Sequence, residues 1–489
     1  MNYFSTRNKN LSYTSAQAMA MGLAPDGGLF VPERIPAVSA AELEALCTMD
    51  YRGRAVEIMS RYLEDFSREE LAEYAAKAYG ENYDNAAIAP LHMAGNGIAY
   101  LELWHGPTCA FKDMALQMLP YLLTASLKKT GEQRQVCILV ATSGDTGKAA
   151  LEGFADVPGT RIFVFYPDGG VSRIQKLQMI TQSGDNVGVC AVRGNFDDAQ
   201  TGVKRIFGDG DFAKALSERG WFLSSANSIN WGRLLPQIVY YFSAYCDYVN
   251  SGKIAMGEKI NFCVPTGNFG NILAGWFAKR MGLPVNRFLC ASNANNVLTD
   301  FISTGVYDKN RPFHMTISPS MDILVSSNLE RLLYMLCGDE ATAGFMRSLN
   351  GEGRYAVNAE TLGKVQAEFS GACCSDDVTR ARIAQVWKDE GYLIDTHTGV
   401  AAAALEQYRR ESGDAAPTVI VSTASPFKFA GDVCAALGVE QGNDPLTALS
   451  SACDVKIPGP LSGLEQRKQR FDTVVEKTAM PEQVAQFLQ

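Results

Sequence analysis

The sequence predicts an α/β protein built on parallel or mixed sheets flanked by helices, and two observations lead there. Apolar, β-rich runs recur along the chain, each ending in a loop of Gly, Ser, Thr or Asn before a helical pattern begins. These runs are nearly continuous in apolar residues rather than alternating, as expected of strands covered on both faces. Repeated strand–loop–helix order argues for an α/β architecture, in which ligands sit at the carboxyl ends of the strands.

Taken in order, residues 1–95 read as an N-terminal domain. The stretch APDGGLFVP (24–32) is turn-rich, and helical patterns run from Ala40 to Tyr79. The α/β core is expected over 96–319. QVCILVATSGDTGKAALEGF (135–154) is its clearest unit, and 161–180, 186–207, 259–282 and 287–301 follow the same plan. Residues 320–412 are mainly helical in pattern and read as an insertion. Residues 413–489 return to the sheet, with TVIVSTASPFKFAGDVCAAL at 418–437, and end in a segment without a distinct pattern.

Composition narrows the function classes. The chain has 489 residues, 47% hydrophobic and 20% charged, which is ordinary globular composition with room for a cofactor cavity. The formal net charge is −9 and no basic run tracks a phosphate backbone, so neither nucleic acid nor an anionic membrane is an expected partner. The twelve cysteines are scattered without a C-x-x-C, and only four histidines are present, so no metal site is expected. The polar start MNYFSTRNKNLSYTS lacks a signal core, and no run reaches the ~18–20 apolar residues of a membrane span. A soluble, cytoplasmic protein with reduced thiols is the expectation.

Two loops suit anions, because helix N-termini present free N–H groups and roughly half a positive charge. In VPTGNFGNILAG, Gly267, Asn268, Phe269, Gly270 and Asn271 separate a strand from an apolar helix. The glycines allow close backbone approach, and the asparagines add side-chain donors. In ATSGDTGKAA, the GDTGK invites a P-loop reading. That reading fails, because Thr142 stands where the first glycine should be and Ala149 where the magnesium hydroxyl should be. Thr142, Ser143, Gly144 and Thr146 suit a carboxylate better, while Asp145 can also serve as a helix cap that binds nothing.

Lys112, in HGPTCAFKDMALQMLPYLL, falls on the apolar side of a helical pattern with Leu116, Leu119 and Leu123; Asp113 and Gln117 mark the polar side. A desolvated lysine loses proton affinity and becomes a nucleophile, as a Schiff-base lysine must be. The alternative is a snorkelling lysine whose charge escapes to water.

HGPTCAFKD resembles the cofactor-lysine segment of threonine synthases. YFSTR, APDGGLFVP, ATSGDTG, GNFDDAQ, SANSINWGRLLPQIVYY, VPTGNFGNILAG, SNANNVLTDF and SPSMDILVSSNLERLL resemble that family's other segments in order, over residues 3 to 430. The likeness is to the yeast and enterobacterial branch. It implies the fold type II, tryptophan synthase β-like architecture of pyridoxal 5'-phosphate (PLP) enzymes. The implied reaction is a lyase step of threonine biosynthesis, converting O-phospho-L-homoserine and water to L-threonine and phosphate. By resemblance Lys112 carries PLP and is the catalytic base, Gly267 to Asn271 cradle the cofactor phosphate, and Thr423 faces the pyridine nitrogen. Asp145 stands where related enzymes place an asparagine beside the cofactor hydroxyl, which leaves its protonation state open. Thr142, Ser143, Gly144 and Thr146 would hold the substrate carboxylate. Asn230, Arg233 and Lys428 are nominated for the leaving phosphate, although each also fits an exposed or capping role.

Two departures stand out. The family reads Ala-His-Pro where this chain has Ala424-Ser425-Pro426, and Asp-Pro-His-Thr where it has Asp395-Thr396-His397-Thr398. His397 is either a site residue or a core histidine. The same motifs fit a phospholyase that releases a 2-oxo acid and ammonia, or a non-catalytic PLP-fold protein. The expected partner is a small molecule, and the expected assembly a monomer or small homo-oligomer.

Overall fold

The computed structural model describes residues 1–489 apart from Asp197, which falls in the GNFDDAQ segment and lies outside the described residues. The six strand–loop–helix units divide between two sheets. In the five-stranded sheet the order is Val474–Val475, Val187–Val192, Thr160–Pro167, Gln135–Ala141, Trp221–Ser224, every pair parallel. In the six-stranded sheet it is Phe369–Cys373, Val285–Ser292, Ile260–Pro265, Thr418–Ser422, Ile98–Glu102, Leu91–Met93, parallel except for the last pair. The central strands are buried along almost their whole length, which explains their unbroken apolar composition.

The stretch 320–412, expected as an insertion, does more than interrupt the core. It is mainly helical, but its strand Phe369–Cys373 forms the edge of the six-stranded sheet beside Val285–Ser292. FSGAC is too short and too rich in small residues to stand out as a buried strand. The C-terminal segment also joins the core, adding Val474–Val475 beside Val187–Val192.

At the N-terminus Tyr3–Ser5, Asn8–Tyr13 and Phe30–Pro32 form a small antiparallel sheet. Helices beyond it begin with reciprocal caps, such as Ser39 with Glu42 and Ser67 with Glu70. This unit shares a core with the rest of the molecule. The helix Trp231–Asn250 is buried over most of its length, and the Trp231 ring packs 5.6 Å from Tyr3, 5.7 Å from Tyr62 and 5.5 Å from Phe277. Arg7 grips Glu330 through two hydrogen bonds of 2.8 and 2.9 Å, tying the first hairpin to the helix that starts at Leu329. No described helix is long and apolar enough to cross a membrane.

Candidate active site

The loops that follow Glu102, Ala141, Pro265 and Ser422 leave the carboxyl ends of strands from both sheets, and the candidate site is built from them. Lys112 stands at the start of the short helix Asp113–Leu116. Backbone bonds from Phe111 N to Thr423 O (2.8 Å) and from Ser425 N to Cys109 O (3.0 Å) hold its loop against the 423–425 segment. The Lys112 side chain is 11% exposed, and its Nζ lies 3.7 Å from Asp145 Oδ2. Burial draws its pKa down to about 8; Asp145 opposes that fall, while Lys428 and Arg233 assist it. A substantial share of the amine is therefore neutral near pH 7.5.

Asp145 does not cap its helix. Thr142 takes that role, its Oγ1 accepting from Gly144 N at 3.0 Å and from Gly147 N at 2.8 Å. The Asp145 carboxylate turns inward instead. Oδ1 accepts from Lys428 Nζ (2.8 Å) and Gln175 Nε2 (3.0 Å), and Oδ2 from Ser320 Oγ (3.0 Å). Burial alone would raise its pKa; Lys428, Lys112 and Gln175 together hold it well below the usual carboxylate range. The contacts made by Asp145 therefore favour its ionised form. Gln175 is itself fixed as one arm of a capping box with Ser172, so its amide N–H2 faces Asp145.

The turn after Pro265 has the form of an anion cradle. Its carbonyls point away: Gly267 O accepts from Ser326 Oγ at 2.7 Å, and Asn268 O from Asn328 N at 3.0 Å. Phe269 takes the left-handed conformation (φ 62°). Among the described residues, no backbone N–H of Gly267 to Asn271 donates to a protein acceptor. A row of amides at the head of the helix Gly270–Met281 is what a phosphate monoester requires. A Cβ on Gly267 would sit 2.8 Å from Ser320 O, so the turn and the 318–323 segment meet backbone to backbone. The Asn271 amide braces the turn by donating to Pro265 O at 2.9 Å rather than facing a ligand.

Other residues fall out as follows. Ser143, Asp145 and Thr146 have backbone N–H groups without protein acceptors among the described residues, giving a second, smaller amide cluster. Thr423 is 5% exposed, and its hydroxyl has no hydrogen-bond partner among the described residues. Arg233 is buried with no carboxylate partner; one guanidinium nitrogen donates to Ala226 O, and burial lowers its pKa to about 10. Asn230, by contrast, is a helix cap with its amide engaged at both ends, on Met19 O (3.1 Å) and Gly232 N (2.9 Å). Lys428 is engaged by Asp145 and by Thr108 O at 2.9 Å. Asp113, expected on a polar face, is buried and accepts from Thr108 N and Oγ1, and burial pushes its pKa up to about 6.

Sequence reasoning did not single out Ser320 or Gln175, whose hydroxyl and amide complete the shell around Asp145. His397 is buried in the first turn of its helix, Nδ1 3.0 Å from Asp395 Oδ1, and Nε2 accepts the Ser320 N–H at 3.2 Å. It thereby braces the Ser320 segment from behind. Ser425 caps the turn at Phe427 N.

Paired sheets that converge on a desolvated amine and an amide-lined turn define a PLP-dependent enzyme of the fold type II class, and residues 90–424 match the family model described as pyridoxal-phosphate dependent enzyme. Residues 2–79 match the threonine synthase N terminus, and 398–488 match threonine synthase, C-terminal. The chain belongs to the threonine synthase family. It is 39% identical to threonine synthase of Pseudomonas aeruginosa, over 88% of this chain and 89% of that one. It is 42% identical to human threonine synthase-like 1 over 88% of its own length, spanning 58% of that longer relative. Among solved structures, PLP-bound threonine synthase from Brucella melitensis superposes with a TM-score of 0.89 at 37% identity, covering 100% of both chains.

Proposed function

We propose that this chain converts O-phospho-L-homoserine and water to L-threonine and phosphate, with Lys112 as the residue that carries PLP. The observation that carries the reading is the Lys112 amine, desolvated and facing Asp145 between two amide-lined helix starts. The residues present fit the cofactor. Gly267 to Asn271 would hold its phosphate, Asp145 and the free Thr423 hydroxyl would flank its ring, and Lys112 would take its aldehyde carbon. Bound PLP supplies an electron sink for negative charge developing next to the substrate nitrogen.

The protein's own groups then have distinct tasks. With PLP held in the cradle, the Lys112 amine would be placed to accept the Cα proton, and a pKa drawn down to about 8 suits both that transfer and its return. The free N–H groups of Ser143, Asp145 and Thr146, with the Thr142, Ser143 and Thr146 hydroxyls near them, would orient the substrate carboxylate. Arg233 is the nominee that best suits the departing phosphate, because its buried charge has no carboxylate to neutralise it. Asn230 and Lys428 are already engaged and would act on that group only indirectly.

Incubation of the PLP-loaded chain with O-phospho-L-homoserine tests the proposal. Equal release of threonine and phosphate is expected. Phosphate with 2-oxobutanoate and ammonia would replace it with the phospholyase reading, and bound PLP without phosphate release would replace it with a non-catalytic one.

A further inference from the structure

Lys428 lies in the short turn Pro426–Phe429 that follows the strand Thr418–Ser422, and it is 1% exposed. A lysine ammonium is rarely so buried unless it is paired. Its Nζ has two acceptors, Asp145 Oδ1 at 2.8 Å and Thr108 O at 2.9 Å. Lys112 approaches the other oxygen of the same carboxylate at 3.7 Å, outside direct hydrogen-bonding range, and is the more exposed of the two amines. Two lysines thus compete for one carboxylate, and Lys428 holds the better position.

We propose that Lys428 is a positioning residue that keeps the Lys112 amine in its neutral, nucleophilic form by occupying Asp145. The reading rests on Lys112 being the PLP anchor and gives Lys428 a role other than contact with the substrate phosphate. With the Asp145 carboxylate taken by Lys428, a proton on Lys112 has no counter-ion of its own. Burial of Lys112 and the Arg233 guanidinium act in the same direction.

The other titratable groups near the pair leave this arrangement intact. Asp113 spends its oxygens on Thr108 N and Oγ1. Burial pushes the Cys109 thiol up to about 12, so it stays neutral. His397 reaches Asp145 only through Ser320, accepting that residue's N–H while the Ser320 hydroxyl donates to Asp145. Lys428 is the cation that contacts Asp145 at hydrogen-bond distance, and removing it leaves the carboxylate to Lys112.

The test is the pH dependence of PLP attachment to the full-length chain, followed by growth of the lysine-linked chromophore, with the pH profile of kcat in the loaded enzyme as a second measure. In the parent, the attachment rate should rise with a midpoint near pH 8, where Lys112 titrates. K428M should move that midpoint up by about one unit, so that attachment at pH 7 slows roughly tenfold, and K428R should restore it. The acid limb of kcat should shift in step. Because K428M leaves a buried carboxylate without its cation, D145N is compared with the D145N/K428M pair as well. With no carboxylate left to occupy, the midpoints of D145N and the double variant should coincide. A K428M midpoint equal to the parent's, or a shift in the D145N pair as large as in the parent pair, in folded protein, overturns the proposal. PLP attached to a lysine other than Lys112 in the parent would instead overturn the reading it rests on, and borohydride reduction with peptide mapping of the same samples separates the two failures.

Discussion

Replacing Gly267 by Ala probes the contact that closes the cofactor cradle. Gly267 does not adopt a positive φ, so backbone strain is not at issue and the effect is steric. The added Cβ would lie 2.8 Å from Ser320 O and 3.4 Å from Met321 Cα. Ordinary carbon contacts begin nearer ~3.5 Å, so the 320–321 backbone has to retreat by roughly half an ångström. Both neighbours are main chain and cannot swing aside as a side chain would. The retreat pulls on Ser320, whose Oγ holds Asp145 at 3.0 Å and whose N–H reaches His397 Nε2 at 3.2 Å. Overpacking of this kind costs about 1–3 kcal/mol. If most of that cost falls on the PLP-bound state, PLP affinity should drop about ten- to hundredfold. Titration of the folded variant with PLP, read by absorbance, measures the drop. Gly363→Ala is the control: Gly363 lies on the exposed side of the helix Ala359–Glu368 with no neighbour within 4 Å. It should bind PLP as the parent does and gain about 0.5–1 kcal/mol of stability. Parent-like affinity in Gly267→Ala would refute the idea that this backbone contact shapes the cradle.

The remaining expectations concern charge. Arg233→Met should raise the inhibition constant for inorganic phosphate at least about tenfold, with PLP still bound, since it removes a buried cation that has no protein counter-ion; an unaltered constant places the phosphate elsewhere. His105 sits between Asp84 (2.5 Å) and Glu102 (2.8 Å); burial works against its charge, but the two carboxylates prevail and raise its pKa. Its contribution to stability is therefore full below the unfolded value of about 6.5 and lost as pH rises through the folded one. Thermal unfolding of parent and His105→Asn across pH 5.5–8.5 should show that slope flattened in the variant. Glu330→Gln removes the charge that Arg7 grips with two bonds and should lower stability by about 1–3 kcal/mol in urea titrations at unaltered slope.

What could be read in advance follows from which forces are local. The runs 135–141, 260–265 and 418–422 announced themselves as strands because burial on both faces demands unbroken apolar side chains. The glycine-rich turns after the first two were legible because a close backbone turn demands glycine. The division of these strands between two sheets was not, since strand order leaves no trace in composition. Lys112 stands out as a cation in an apolar stripe, but the same spacing misplaces its neighbour Asp113. Helical spacing placed Asp113 with the solvent, whereas Thr108 captures it inside the turn. That Thr142 and not Asp145 caps the helix was illegible for the same reason. Either can cap a helix, and the choice depends on Lys428 and Ser320, which arrive from distant segments.

The identity of the lysine that holds PLP is the most direct measurement. Borohydride reduction of the PLP-loaded chain, followed by proteolysis and mass mapping, should place the reduced cofactor on the peptide containing Lys112 and leave Lys112→Ala unlabelled. Label on Lys148 or Lys428, or undiminished label in Lys112→Ala, would contradict the placement of the site.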